Sequence, residues 1–355
     1  MTLKVGILGG ANIAKKVSRG LITIPDVVTV VAVGSRSLDK AEAFIRETGL
    51  PDAKPVEGYD AVLDVPGLQA VYIPLPTKLH VEWVRKAAAK GLHIVLEKPI
   101  AVSQEDLDAM LAAVREAGVV LYDGTMWMHH PRTPRMEAAV AELGGAWDVT
   151  SAFTFKGTED FFKSNVRIKT DADPLGALGD MGWYSVRGIL WAFGFEAPEA
   201  VQAHAGARFT EQGVPTHVGA TLLFSGGRRG RFESGFDVVY TSNLEVTGQT
   251  GAVFLRDFVI PREEHEAAFT VSRAPCLVEL DTRVGGELET VAVRTELTQE
   301  ALLWKSFAAD VAGAEGGKGA AHWARIAALT QTVLFAILES VTNDNKLVKV
   351  TFKED

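Results

Sequence analysis

A lysine at the end of an apolar strand is costly to place, and the run His93–Leu96 followed by Glu97-Lys98-Pro99 places one. Ile94, Val95 and Leu96 are apolar, so the charged pair sits at a depth where an ammonium is retained only if it is paired or used. Pro99 biases Lys98 towards an extended backbone, which projects the side chain beyond the strand end. The chemistry that suits such a group is proton handling on a polar substrate. A second constellation opens the chain. Gly9-Gly10-Ala11-Asn12-Ile13-Ala14 is a variant of G-x-G-x-x-G/A between an apolar strand and a helix. Gly9 supplies the backbone angles of the turn, and the amides beyond it, including those of Asn12 and Ile13, are set to face a pyrophosphate. Ala11 stands at the second glycine position, where its methyl group slightly obstructs the closest phosphate approach. At the end of the second strand, where NAD readers carry an acidic residue, the chain has Gly34-Ser35-Arg36-Ser37. A hydroxyl and a guanidinium are the donors that a 2′-phosphate needs, so NADP is the expected cofactor, with Lys40 one helical turn later adding charge.

These groups need a scaffold, and the hydrophobic periodicity describes one. From Leu3 to about Asp123, short β-branched runs (4–8, 29–34, 70–73, 93–96, 119–123) alternate with helical patterns (13–24, 38–48, 77–90, 103–117). Five strands with four intervening helices specify a Rossmann-type doubly wound parallel sheet, whose ligand crevice lies beyond the carboxyl ends of its strands. Ser103 with Asp106 three residues on marks a helix start. After residue 134 the pattern changes to a helix near 135–143 and long alternating runs (149–155, 216–224, 229–236, 244–247), which mark antiparallel strands with one buried face. Helices over 299–311 and 321–341 and a strand near 347–351 close the chain. The expected division is residues 1–126 for the cofactor domain and 127–355 for an α+β domain with a large, open, mostly antiparallel sheet.

The length of 355 residues suits two domains, and a composition of 47% hydrophobic and 23% charged residues is that of a globular protein, not a disordered one. A net charge of −9 opposes binding to a phosphate backbone, so nucleic acid is excluded as the expected partner. Leu3–Gly9 already reads as a buried strand, so no leader is expected; nor does any apolar run read as long enough to span a membrane. The single cysteine, Cys276, reads as a core residue in a reducing compartment, and a cytoplasmic location follows. Gly313–Gly319 reads as a surface loop. His129-His130 lacks metal-ligand spacing with cysteine or carboxylate partners, and no metal is expected.

Taken together, the glycine loop and the Glu97-Lys98-Pro99 triplet resemble the glucose–fructose oxidoreductase/inositol dehydrogenase (Gfo/Idh/MocA) family over the whole chain. Ile73-Pro74-Leu75-Pro76-Thr77 with His80 is similar to that family's strand-four loop. Val166-Arg167 resembles its cofactor-contacting Trp-Arg pair, with valine in place of tryptophan. Gly176-Ala-Leu-Gly-Asp180-Met-Gly-Trp-Tyr184 resembles its second-domain active-site motif in the tyrosine form found in glucose–fructose oxidoreductase and the dihydrodiol/D-xylose dehydrogenases. Gly124-Thr-Met-Trp127 is similar to the latter subgroup, and further stretches resemble plant members.

The resemblance implies cofactor contacts from Pro74, Leu75, Pro76, His80, Glu97, Lys98, Trp127 and Arg167, and substrate contacts from Lys98, Trp127, Phe155, Asp180 and Tyr184. It casts Lys98, Tyr184 and Asp180 as the catalytic set. Asp180 and Tyr184 are four apart, so on a helix they share one face. A phenol titrates near ~10, and an ammonium about 4 Å away supplies roughly 4 kcal/mol at an effective dielectric of about 20, or up to ~3 pK units. Tyr184 then serves as acid/base for the substrate hydroxyl, with Asp180 orienting it. The implied activity is NADP-dependent oxidation or reduction of an aldose, polyol or trans-dihydrodiol, D-xylose-type C1 oxidation being the most concrete form. Reduction of an osone, anhydro-sugar or other reactive carbonyl is the alternative within the same chemistry. A non-catalytic NADP sensor is the alternative outside it, and the joint presence of Lys98, Asp180 and Tyr184 argues against it. Cover for the sheet's open face makes a homodimer the expected assembly.

Overall fold

The structure is a computed structural model that describes residues 2–273, 287–313 and 319–353; Cys276 and most of the 313–319 loop lie outside them. In chain order the first elements are β1 (Leu3–Leu8), α1 (Asn12–Leu21), β2 (Val28–Ser35), α2 (Leu38–Thr48), β3 (Lys54–Glu57), α3 (Asp60–Leu63), β4 (Ala70–Ile73), α4 (His80–Ala89), β5 (His93–Leu96), α5 (Gln104–Ala117) and β6 (Leu121–Asp123). There follow α6 (Arg132–Glu142), β7 (Asp148–Lys156), α7 (Glu159–Ser164), α8 (Trp183–Ala192), β8 (Ala200–Ala203), β9 (Arg208–Phe209), β10 (Pro215–Leu223), β11 (Arg229–Gly235), β12 (Asp237–Thr247), β13 (Gly251–Leu255), β14 (Glu266–Arg273) and β15 (Glu287–Arg294). The chain ends with α9 (Gln299–Val311), α10 (Ala320–Thr342) and β16 (Val348–Lys349).

Two compact units result, one of Met1–His129 with Leu297–Ala328, the other of His130–Glu296 with Leu329–Asp355. The first holds a six-stranded sheet of order β3-β2-β1-β4-β5-β6, all neighbours parallel. This is the doubly wound order, with the topological switch between β1 and β4. The strand that the periodicity does not announce is β3: Pro55 lacks a donor and its ends are charged, features tolerated because β3 lies at the sheet edge. α5 starts as its residues prescribe, with the Ser103 hydroxyl accepting from the Asp106 amide at 3.1 Å. α9 returns to this unit from late in the chain: Trp304 packs edge-on against Tyr72 of β4, and the Tyr122 hydroxyl donates to Asp310 at 2.6 Å.

The second unit is built on a ten-stranded sheet of order β15-β14-β13-β12-β7-β11-β10-β8-β16, with β9 paired to β10. Its pairs are antiparallel except β7–β11. α8 packs on β7 and β11. β11 shows the cause of the one-sided covering, since Arg229, Arg231 and Glu233 are exposed while Gly230, Phe232 and Ser234 are buried. The expectation that no segment is long enough to cross a membrane needs correction: Ala321–Thr342 is long and apolar enough by length and composition, and its most apolar window is mostly buried inside the fold.

Candidate active site

The first unit brings most of the expected cofactor groups to the carboxyl ends of its strands. Gly9 takes a φ of +104°, which only glycine adopts readily, and its amide bonds to the Gly34 carbonyl at 2.8 Å. That bond ties the phosphate turn to the end of β2, which carries Ser35 half-buried and Arg36 exposed, with Lys40 exposed on α2. α1 begins at Asn12 after Ala11, and no side chain caps its first turn. An N-terminus of this kind keeps its amide dipoles for an anion. A positive-φ glycine turn, an uncapped helix and a Ser-Arg pair at the neighbouring strand end fit a dinucleotide carrying a 2′-phosphate.

At the end of β5 the geometry is tighter. Glu97 is buried, accepts a 2.6 Å hydrogen bond from the Tyr72 hydroxyl, and lies 3.4 Å from the Lys98 amide. Burial pushes its carboxyl above the usual range, while the bond from Tyr72 and the charge of Lys98 pull the other way. A Cβ on Gly124 would lie 2.7–2.9 Å from the Glu97 carboxyl, so glycine is required beside it. Lys98 is half-buried and is joined to Pro99 by a cis peptide. His80 is 1% exposed, and its ring nitrogens lie 3.1 Å from the Ile100 carbonyl and 2.8 Å from that of Leu75. It ties the strand-four loop to the segment following Lys98. Trp127 is 1% exposed, so its indole is packed and presents no open face.

The second unit assembles its own group of candidates. Asn165 caps the turn Val166–Ile168, accepting from the Arg167 amide at 3.0 Å. The Arg167 guanidinium meets Asp180 at 2.8 Å, and that carboxylate raises its pKa further. Asp180 lies in a π-helical turn, Leu178–Gly182, that runs into α8. The four-residue spacing to Tyr184 therefore spans a π turn and an α turn, not the single α-helix that the spacing assumes. Such turns are frequent at functional sites, where they re-aim side chains. Tyr184 is 6% exposed and meets the ring of Phe153 edge-on at 5.7 Å. Phe155 packs instead with Phe161 and Phe236, at 5.3 and 5.2 Å.

Comparison with known proteins bears on these groups. Residues 3–125 match the model described as oxidoreductase family, NAD-binding Rossmann fold, and residues 135–254 match the GFO/IDH/MocA C-terminal domain. A D-xylose 1-dehydrogenase (NADP(+)) of Haloferax volcanii is 36% identical over 254 residues, covering 69% of this chain and 73% of that protein. The chain belongs to the Gfo/Idh/MocA oxidoreductase family. Another similar member is the trans-1,2-dihydrobenzene-1,2-diol dehydrogenase of Mus musculus, 29% identical and covering 74% of this chain and 77% of that one. Among solved structures, a 3-ketoreductase from Actinomadura kijaniata, in complex with NADP and TDP-benzene, is 25% identical. It superimposes with a TM-score of 0.81 over 96% of this chain and 98% of that one.

Three features of this Gfo/Idh/MocA chain escape sequence reading. Tyr72 as the donor to Glu97 leaves a weak signal, a tyrosine in the otherwise apolar strand Ala70–Ile73. The Arg167–Asp180 pair joins residues in separate turns, and the Phe153–Tyr184 contact joins β7 to α8; neither leaves a local pattern.

Proposed function

We propose that this protein is an NADP-dependent oxidoreductase of sugar-like alcohols and carbonyls, acting as a D-xylose-type aldose 1-dehydrogenase or a trans-dihydrodiol dehydrogenase. The observation that carries the reading is Lys98, half-buried at the end of β5 beside a Glu97 anchored by Tyr72. A lysine at the mouth of a parallel sheet is costly to keep unless it is paired or used, and proton transfer is such a use. Gly9, Ala11, Asn12 and Ile13 would hold the pyrophosphate, Ser35, Arg36 and Lys40 the 2′-phosphate, and Pro74, Leu75 and Pro76 would flank the cofactor. When bound, NADP supplies the hydride acceptor or donor.

The residues of the chain handle the proton. Tyr184 exchanges it with the substrate hydroxyl. Asp180, held by Arg167, orients the substrate hydroxyl. Similarity to a 3-ketoreductase favours carbonyl reduction as a second direction for the same groups. The sheet's open face, with Arg229, Arg231 and Glu233 on β11, is the surface we assign to a homodimer.

The test begins with fluorescence titration of NADPH and NADH, followed by turnover of an aldose and dihydrodiol panel. Tyr184→Phe is expected to lower kcat by about 10²–10⁴-fold with NADPH affinity kept, and Lys98→Ala to lower kcat to a similar extent. Tight NADPH binding with no turnover of any alcohol or carbonyl would turn the reading towards a sensor.

A further inference from the structure

Beside Tyr184, the second unit leaves three consecutive apolar residues open to solvent. Val238, Val239 and Tyr240 are 36, 75 and 53% exposed. They form a bulge in β12: Asp237 pairs with Lys156 and Thr241 with Thr154, so three residues stand opposite Phe155 alone. The bulge is held, not frayed. The buried Thr154 hydroxyl donates to the Val239 carbonyl at 2.6 Å and lies 2.8 Å from the Thr241 hydroxyl. Bulges of this kind re-aim side chains next to active sites.

The aim of this one is given by its ring contacts. Tyr240 stands perpendicular to Phe153 at 6.3 Å, and Phe153 in turn meets Tyr184 at 5.7 Å. All three rings lie on the α8 side of the sheet, away from the open face that carries Arg229, Arg231 and Glu233. A protein interface takes on the order of 20 residues a side, far more than three side chains. One planar ring, by contrast, is matched by one exposed tyrosine preceded by two exposed valines.

We propose that the Val238–Tyr240 bulge is a substrate subsite that takes a planar, uncharged ring attached to the sugar away from its reacting carbon. The assignment rests on Tyr184 being the proton-transfer group, because Tyr184 gives the bulge its place next to the reaction. Its substrates are therefore sugars carrying an aryl or nucleobase-like group, and a bare aldose leaves the subsite unfilled.

Calorimetry on the full chain saturated with NADPH tests this, using 4-O-benzyl-D-xylose and 6-O-benzyl-D-glucose, whose C1 is free, against the parent sugars. In the wild type at least one benzyl ether should bind about tenfold more tightly than its parent sugar. Tyr240→Ala should remove that advantage, and Tyr240→Trp should keep it. Tyr240 is exposed, so unchanged thermal unfolding of both variants is the expected control. The proposal is overturned if the wild type shows no preference for either benzyl ether, or if the preference survives Tyr240→Ala. A lower sedimentation mass for Tyr240→Ala would also overturn it, by assigning the bulge to a second copy of the chain. If the preference depends on Tyr240 but Tyr184→Phe leaves turnover intact, the subsite stands and the role given to Tyr184 falls.

Discussion

Arg36 separates the two nicotinamide cofactors at the level of a single guanidinium. Exposed at the end of β2, it is worth roughly a charge-assisted hydrogen bond to a 2′-phosphate, about 1.5–3 kcal/mol. Arg36→Ala is expected to weaken NADPH binding roughly ten- to a hundredfold and to leave NADH within about threefold, as measured by titration of nicotinamide fluorescence. Tyr72→Phe acts on stability instead: it strips the buried Glu97 of its 2.6 Å donor and should cost about 1–3 kcal/mol in urea unfolding. Some residues declare themselves in the sequence because their chemistry conflicts with their neighbours, as Lys98 does after three apolar residues. Phe153, Arg167 as the partner of Asp180, and Tyr240 do not, since each acquires its meaning from a contact made across distant parts of the chain.

Elements were legible in proportion to their periodicity and caps. α2 and α9 fall on the expected residues, Leu38–Thr48 and Gln299–Val311, because apolar spacing and flanking serine or threonine agree there. α5 carries its own test: Ser103→Ala removes the bond to the Asp106 amide and should lower unfolding free energy by about 1 kcal/mol in chemical denaturation. Less legible were β3, whose four residues are charged at both ends and contain Pro55, and the π turn at Leu178–Gly182, which shares its composition with an ordinary helix. The bulge in β12 was invisible for a related reason. Its exposed Val238-Val239-Tyr240 reads as ordinary strand, and only the pairing register with β7 reveals the extra residues.

At the scale of the whole molecule, the second sheet carries a charge cluster that responds to pH. His217 lies 3.2 Å from Glu233 and 2.8 Å from Asp237, with Arg208 also paired to Asp237 and His204 to Glu233 at 3.0 Å. The bond to Glu233, then that to Asp237, raises the His217 pKa above its ordinary 6.5 against the pull of burial. The stability it adds is thus fully present below pH 6.5 and lost as pH rises through the raised value. Although burial opposes ionisation of Glu233 and Asp237, their histidine and arginine partners bring both below the ordinary carboxylate range. Their contribution is lost as pH falls through those lowered values. His217→Gln should therefore lower Tm most near pH about 5.5, with the difference fading in alkaline solution, in thermal melts across that range. Sedimentation should give the mass of a homodimer if the open sheet face pairs as we assign it.

The two-unit plan was legible as a change of periodicity after residue 134, whereas the return of residues 297–328 to the first unit was not, because α9 carries no mark of which core it joins. That return has a bearing on synthesis. Domains made on the ribosome tend to fold in order as they emerge, yet here Tyr72 and Tyr122 wait for Trp304 and Asp310. The parallel sheet that begins the chain stays partly uncovered until nearly all of the rest has been translated. Loops closed over such sequence separations are slow to form, so the N-terminal half is the part of the nascent protein with most need of a chaperone.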